Sequence, residues 1–182
     1  ADADANIEKA KQLLSEAGVS NPQVRLLTAQ TNTRRQQELQ LITASAQKAG
    51  FTVIDASAAN WSTVLSTQAS AYDAALFGWQ STGLNVGESC PNYIAGGINN
   101  YFGWQNDTIE QNCNALSTAI DPAQQLELLT GVEKAVFDEG WSLPIFQFPG
   151  VTAWSTKVEG VTAGFLAPDY FWNAADWKPA AQ

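Results

Sequence analysis

The side chains that most often perform catalysis or bind metals are scarce in this sequence. It contains no histidine, the commonest general base and metal ligand, so no Ser–His or Cys–His nucleophile pair can form. Ser–Lys chemistry stays open. Glu88, Asp107 and Glu110 flank a Gly- and Asn-rich stretch, and a carboxylate pair suffices for glycoside hydrolysis. Asp107 and Glu110 also fit a helix capping box, so we expect a protein that is not an enzyme.

The two cysteines, Cys90 and Cys113, lie 23 positions apart and match neither a CxxC nor a zinc pattern. Two interpretations remain open at this point. They are independent buried thiols, or they form one disulfide that stabilises the fold by about 3 kcal/mol in an oxidising compartment.

The overall charge limits the possible partners. Nine basic and eighteen acidic residues give a net charge of −9, which argues against nucleic acid and anionic membrane as partners. No apolar run approaches the roughly 20 residues that span a bilayer. No signal peptide is visible, and we expect it to have been cleaved or the chain to be an excised piece. No metal or cofactor is indicated.

The first half of the chain alternates helix and strand patterns, which predicts an α/β fold. Apolar periodicity predicts strands at about residues 23–30, 51–56 and 73–79 in one sheet, the first two parallel. The helices should begin at Asn6, at a capping box of Thr33 and Gln36, and near Asn60. Only one face of the first strand, that of Val24 and Leu26, has a thoroughly apolar pattern.

The third strand ends in an unusual way. Gly78 has no Cβ and lets another backbone approach closely, and Trp79 places a large ring at the strand's carboxyl end. Ligands of open α/β sheets usually bind at this end. The competing interpretation is a core strand that ends in a core tryptophan.

The second half contains a long stretch, residues 81–106, with Tyr93, Tyr101, Phe102 and Trp104 scattered among Gly, Asn and Ser. A run of this length without periodicity is usually functional. Two helices are predicted after it, with apolar faces that include Ile120 in the first and Leu126, Val132 and Phe137 in the second. Residues 143–148 are predicted to form a fourth strand, and the tail from Pro149 has only short apolar pieces, among them Phe165-Leu166 and Tyr170-Phe171-Trp172.

Several short motifs occur in an order that resembles a known family. They are EKAKQLL (8–14), EAG (16–18), KAG (48–50), Trp61 with Leu65, YDAALFGW (72–79), Asn100 with Gly103 and Asn106, Asp121-Pro122, and LPIF (143–146). In this order they resemble the C-terminal portion of the peptide-binding extracytoplasmic solute-binding proteins, the oligopeptide/dipeptide-type receptors of ABC importers.

The resemblance implies one lobe of a two-lobed, periplasmic-binding-protein-like fold with a mixed sheet and flanking helices. Residues 1–150 would be most of the C-terminal ligand-binding lobe, and residues 151–182 would cross back to a first lobe that this chain lacks. It also implies an extracytoplasmic location, as a surface-anchored lipoprotein or in the periplasm, and ABC permease subunits as partners. An exported protein would favour the disulfide.

In this family the ligand peptide lies extended between the lobes and pairs its backbone with strand edges. The residues that would bind it here are Phe77, Gly78, Trp79, Gln80, Thr82, Tyr93 and Asn100. Many relatives have an Asp three positions after the Trp to hold the ligand's α-amino group, and Thr82 supplies no charge there. An oligosaccharide is the alternative ligand, because Trp79, Tyr93, Tyr101 and Trp104 could stack on sugar rings.

Overall fold

The computed structural model describes residues 3–164 and 171–181. They fall into two compact units, Ala1–Gly78 and Trp79–Gln182. Within the described residues, no helix is both long and apolar enough to cross a membrane.

The first unit is an α/β arrangement, as predicted. Its regular elements are α1 (Ala3–Glu16), β1 (Gln23–Leu27), α2 (Thr33–Lys48), β2 (Thr52–Asp55), α3 (Trp61–Thr67) and β3 (Ala74–Ala75). The strand order is β2-β1-β3, and both neighbours run parallel to β1. Leu26 and Leu76 pack with Leu39 of α2 to form the core between sheet and helix. The predicted fold class and the parallel pairing are therefore confirmed.

Burial in β1 differs from the prediction of one buried face. Leu27 is 1% exposed although it lies opposite Leu26 in the strand's alternation. The reason is that β1 is the central strand of a parallel sheet, where both faces are covered. The strand also ends earlier than expected, and an isolated bridge between Ala29 and Ala58 continues the parallel pairing beyond it.

Two of the three helix starts in this unit differ from the predicted ones, whereas α3 begins at Trp61 with Asn60 as its N-cap, as predicted. α1 begins at Ala3 and not at Asn6. Asn32 caps α2 by accepting a hydrogen bond from the backbone N–H of Arg35, so Thr33 is the first helical residue. Gln36, the other half of the predicted capping box, instead donates to the carbonyl of Ala29 at 3.1 Å. A tertiary partner has outcompeted the local one.

The strand predicted at residues 73–79 is much shorter in the structure. Only Ala74–Ala75 pair as a strand, and the N–H of Leu76 adds one more bond to Leu27 O at 2.8 Å. Asp73 accepts three hydrogen bonds from Arg25, of 2.8, 2.9 and 2.7 Å, which join the entry of β3 to β1. These bonds hold the pKa of Asp73 at about 2, below its ordinary 3.8. From Phe77 the chain leaves the sheet.

The second unit is built on α4 (Asp107–Leu116) and α5 (Pro122–Asp138). Asn106 caps α4 by accepting from the N–H of Ile109, so the predicted cap at Asp107 is one residue late. Asp121 caps α5 with Pro122 at its first position, as predicted. The core between them comprises buried apolar residues of both helices and the disulfide: Cys90, Ile109, Cys113, Leu116, Val132 and Val136.

Three apolar residues assigned to these helix faces lie outside the core. Ile120 is 92% exposed because α4 ends at Leu116, before the predicted face reaches it. Leu126 and Phe137 are also exposed, because α5 turns Leu128, Leu129 and Val132 toward α4 instead. The tertiary contact thus selected one of two overlapping apolar stripes.

Residues 143–148 do not form the predicted strand. In the described part of the chain no other strand pairs with them, and Leu143, Ile145, Phe146 and Phe148 are exposed. A strand needs a hydrogen-bonded neighbour, and Pro144 removes one donor. Further on, β4 (Val158–Glu159) pairs antiparallel with β5 (Lys178–Pro179). Phe165, Leu166 and Tyr170 lie outside the described residues.

Candidate functional site

In the first unit, the loops at the carboxyl ends of the three parallel strands are tied to one another. Thr28, buried just after β1, donates its hydroxyl hydrogen to Leu76 O at 2.8 Å. The Gln36 side chain bonds to Ala29 O and, at 3.0 Å, to Ser57 Oγ beyond β2. Open α/β sheets usually bind ligands at this edge, and these hydrogen bonds join its loops.

Three side chains from these loops form a stack. The guanidinium of Arg35, in the first turn of α2, lies 4.7 Å from the ring centroid of Trp61, the first residue of α3. The Trp61 ring is in turn 6.2 Å from that of Phe77, which follows β3, at an interplanar angle of 40°. Burial and then the neighbouring charge of Arg34 lower the pKa of Arg35.

The segment that follows β3 is open. Gly78 and Gln80 are exposed, and their backbone N–H and C=O groups make no hydrogen bond within the described part of the chain. A Cβ added at Gly78 would meet nothing within 4 Å. Trp79, which the competing interpretation places in a core, is 46% exposed.

A tight turn follows this segment and is held by a carboxylate. Oε1 of Glu88 accepts hydrogen bonds from Thr82 N (2.7 Å), Thr82 Oγ1 (2.9 Å) and Gly83 N (3.1 Å). These bonds, those from Thr82 first, lower the pKa of Glu88. Oε2 makes no hydrogen bond in the described part of the chain. A negative charge is therefore fixed beside Thr82, whose own side chain has none.

Tyr93 and Asn100 take part in the packing of their own loop. The Tyr93 ring lies 4.9 Å from Trp141, edge to face, and burial raises the pKa of its hydroxyl. The amide of Asn100 donates to Ile94 O and Trp104 O and accepts from Trp104 N, at 2.8–3.0 Å. The indole N–H of Trp104 is buried and has no hydrogen-bond partner among the described residues. This loop is organised by side chains and not by regular structure.

The disulfide joins the same loop to α4. Cys90 and Cys113 are bonded, with their Cα atoms 5.8 Å apart, and both are buried. The carboxylate of Glu110 accepts a hydrogen bond from the N–H of Ala95, also in the loop. Thus Glu88 and Glu110, two of the three carboxylates considered for hydrolysis, hold backbone groups. No cluster of metal-ligating side chains occurs among the described residues.

The chain was compared with known proteins. Residues 1–100 match the model of the bacterial extracellular solute-binding proteins, family 5 middle. The chain belongs to this family. The match covers more than half of the chain and includes the stack, Trp79, Thr82 and Glu88. The family is one of solute-binding proteins and not of enzymes. No curated protein matches the chain significantly.

Solved structures share the fold of this chain. The oligopeptide-binding protein AppA from Bacillus subtilis, in complex with a nonapeptide, aligns with a TM-score of 0.68 at 18% identity over 96% of this chain. NikA from Staphylococcus aureus, in complex with Ni(L-His)2, aligns at 0.61 and 19% identity over 72%. A putative peptide-binding protein, AppA from Clostridium difficile, aligns at 0.61 and 15% identity over 71%. This chain spans 37%, 30% and 27% of their respective lengths.

Sequence reasoning missed two features of this region. Glu88 was considered only for hydrolysis, although a carboxylate six positions after a Thr-Gly turn could have been tested as its cap. The Arg35–Trp61–Phe77 stack gave no local signal, because its members lie 26 and 16 positions apart. Of the predicted ligand residues, Gly78, Trp79, Gln80 and Thr82 are exposed, whereas Tyr93 and Asn100 are partly buried in loop contacts.

Proposed function

We propose that this chain is part of an extracytoplasmic receptor that binds oligopeptides and delivers them to an ABC permease. In this proposal residues 1–150 are the ligand-binding lobe and residues 151–182 return to a first lobe. The receptor is held at the cell surface by a lipid anchor or is free in a periplasm. Family membership supports the class of protein, and the ligand rests on the site itself.

The observation that carries the peptide proposal is the free backbone at Gly78 and Gln80. In an extended chain, residues i and i+2 direct their N–H and C=O groups to the same side. Both residues are exposed and have no hydrogen-bond partner among the described residues. An extended peptide can pair with such groups whatever its sequence, which is β-augmentation. Phe77 and Trp79 alternate with them and would flank the ligand's side chains.

Glu88 supplies the charge that Thr82 lacks. Its Oε1 is occupied by the turn, and Oε2 is left with its lone pairs open. An ammonium group is the natural donor to such an oxygen, since charge-assisted hydrogen bonds are about twice as strong as neutral ones. We assign Glu88, with Thr82, to the amino terminus of the peptide. Tyr93 and Asn100 serve the site indirectly, by shaping the loop.

Two other ligand classes compete with peptides. An oligosaccharide would use Trp79 as a stacking platform, but Tyr93 and Trp104 pack near Trp141 and offer it less ring area. A nickel–histidine chelate, as bound by the S. aureus neighbour, brings its own metal ligands. Neither class has a need for unpaired backbone groups at two alternate residues.

Substitution of Gly78 by Val tests the backbone pairing. The new side chain has open space around it, so we expect an unchanged melting temperature. It would block the approach of a ligand backbone, and we expect at least a tenfold loss of affinity, about 1.4 kcal/mol, for alanine–serine peptides of three to nine residues. Calorimetry on the full-length receptor measures this.

The competing ligands are separate arms of that experiment. Wild-type protein is titrated with maltohexaose and with nickel(II) plus two equivalents of L-histidine, and ligand that co-purifies is identified by native mass spectrometry. The matched control is Gly150→Val, at another glycine with nothing within 4 Å of an added Cβ. Binding of a non-peptide ligand, or equal peptide affinity in Gly78→Val and wild type, would contradict the proposal.

A further inference from the structure

Helix energetics do not explain the location of Arg35, the cation of the Arg35–Trp61–Phe77 stack. Arg35 lies in the first turn of α2, next to Arg34, where the helix dipole disfavours positive charge. Arg34 has a carboxylate partner in Glu38, with which it forms an ion pair one turn along the helix. Arg35 makes no side-chain hydrogen bond within the described residues, and its one aromatic contact is the face of Trp61.

The stack connects all three strand ends of the sheet. Arg35 follows β1, Trp61 follows β2 and Phe77 follows β3. Trp61 contacts both neighbours: its ring centroid lies 4.7 Å from the Arg35 guanidinium and 6.2 Å from the Phe77 ring centroid. A planar guanidinium over an indole restricts the rotation of that ring, and a restricted indole limits where the next ring can lie.

We propose that Arg35 is a positioning residue: through Trp61 it fixes the ring of Phe77, and with it the start of the segment that pairs with the ligand. This inference rests on the proposed function for its consequence in binding. Its structural part does not, because the coupling between Arg35 and Phe77 exists without a ligand. Gly78 follows Phe77 directly, so the position of the Phe77 ring limits the path of the exposed backbone.

The coupling is measured by fluorine NMR on protein labelled with 4-fluorophenylalanine. The Phe77 resonance is identified by its loss in Phe77→Leu. Arg35→Lys keeps the charge but removes the planar stacking group, and we expect it to shift and broaden this resonance. The matched control is Arg34→Lys, the same change one residue away at a side chain that pairs with Glu38. We expect no shift of the Phe77 resonance in that variant.

A second background separates a path through Trp61 from a general loosening of α2. In Trp61→Leu, which adds no labelled residue, the Phe77 resonance should already be moved, and Arg35→Lys should add nothing to it. Equal Phe77 resonances in wild type and Arg35→Lys would overturn the proposal. An effect of Arg35→Lys that persists unchanged in Trp61→Leu, or that Arg34→Lys reproduces, would also overturn it.

The consequence for binding is tested with an alanine–serine nonapeptide on the full-length receptor. We expect Arg35→Lys to weaken binding about two- to fivefold with an unchanged melting temperature, since a cation–π contact at a partly exposed site has that scale. Arg34→Lys should bind as wild type. If wild type binds no peptide, the proposed function fails, and the fluorine spectra still decide the coupling. Coupled spectra with equal affinities would refute the role in binding.

Discussion

Each of the two units of this chain is stabilised internally, and the kinds of contact differ between them. The first, Ala1–Gly78, is a parallel sheet with helices, in which backbone pairing and alternating helices and strands account for most of the order. In the second, Trp79–Gln182, the long loop has hardly any regular structure and depends on a disulfide, on Asn100 and on rings around Trp141. Side-chain contacts order this loop, whereas backbone pairing between strands orders the first unit.

This difference affects where the chain leaves backbone groups available to a ligand. In the first unit the last sheet hydrogen bond is that of Leu76, and the backbone of Gly78 has no hydrogen-bond partner among the described residues. In the second unit the disulfide and the hydrogen-bonded carboxylates restrain the loop. These contacts offset part of the conformational entropy that is lost when the loop becomes ordered.

Removal of the disulfide should have the largest effect. In the double variant Cys90→Ala/Cys113→Ala we expect a loss of about 3 kcal/mol in unfolding free energy, because the loop regains its freedom in the unfolded state. Urea unfolding measures the loss. Thiol labelling of unreduced wild-type protein should find no free cysteine. Two reactive thiols, or a double variant as stable as wild type, would remove the contrast between the units.

Trp79→Ala should change binding and leave stability nearly unchanged. Its side chain is 46% exposed, so little core packing is lost, whereas an aromatic wall at a ligand contributes about 2 kcal/mol to affinity. Calorimetry with the alanine–serine nonapeptide and thermal melts separate these effects. Trp154→Ala, a similarly exposed tryptophan, is the control and should bind as wild type. A large drop in melting temperature with unchanged affinity would make Trp79 a packing residue.

The helix caps allow a matched comparison between the units. Asn32→Ala removes the cap of α2 and Asn106→Ala that of α4, and each should lose about 1 kcal/mol in urea unfolding. The neighbours that the sequence pattern favoured, Thr33 and Asp107, serve as controls, and their alanine variants should lose less. If Thr33→Ala or Asp107→Ala proves the costlier change, the cap assignment from the structure is wrong.

Acid should weaken the first unit by a small amount through Asp73. Its pKa is about 2 when folded and about 3.8 ordinarily, so the unfolded chain binds the proton more readily. The contribution is therefore complete only well above the unfolded pKa, from about pH 5 upward, and is lost as the pH falls toward 2. The ion pair with Arg25 is largely exposed, so we expect the smallest effect here. The urea midpoints of wild type and Asp73→Asn should converge as the pH falls from 5 to 2. If the two midpoints stay equally far apart over this range, Asp73 is not a source of the acid sensitivity.

The contrast between the units also explains how much could be predicted from the sequence. Helix and strand periodicities in the first unit are local, and they were enough to predict the class, the sheet and the parallel pairing of β1 with β2. Capping depended on competition: Gln36 could bond back to its own helix start or across to Ala29, and the tertiary partner prevailed. The strand predicted at residues 143–148 failed because a strand's stability lies in its neighbour.

Properties that a single short segment or the composition carries can be read from the sequence alone. The sequence excluded histidine chemistry and argued against nucleic acid and anionic membrane as partners, and the order of its motifs indicated the family that the comparison confirmed. Only the tertiary structure decided which side chains meet: Glu88 with Thr82, Arg35 with Trp61, and Trp104 with the loop around Asn100. No helix or strand periodicity in the sequence relates the residues in these contacts. Their geometry exists only once the chain has folded.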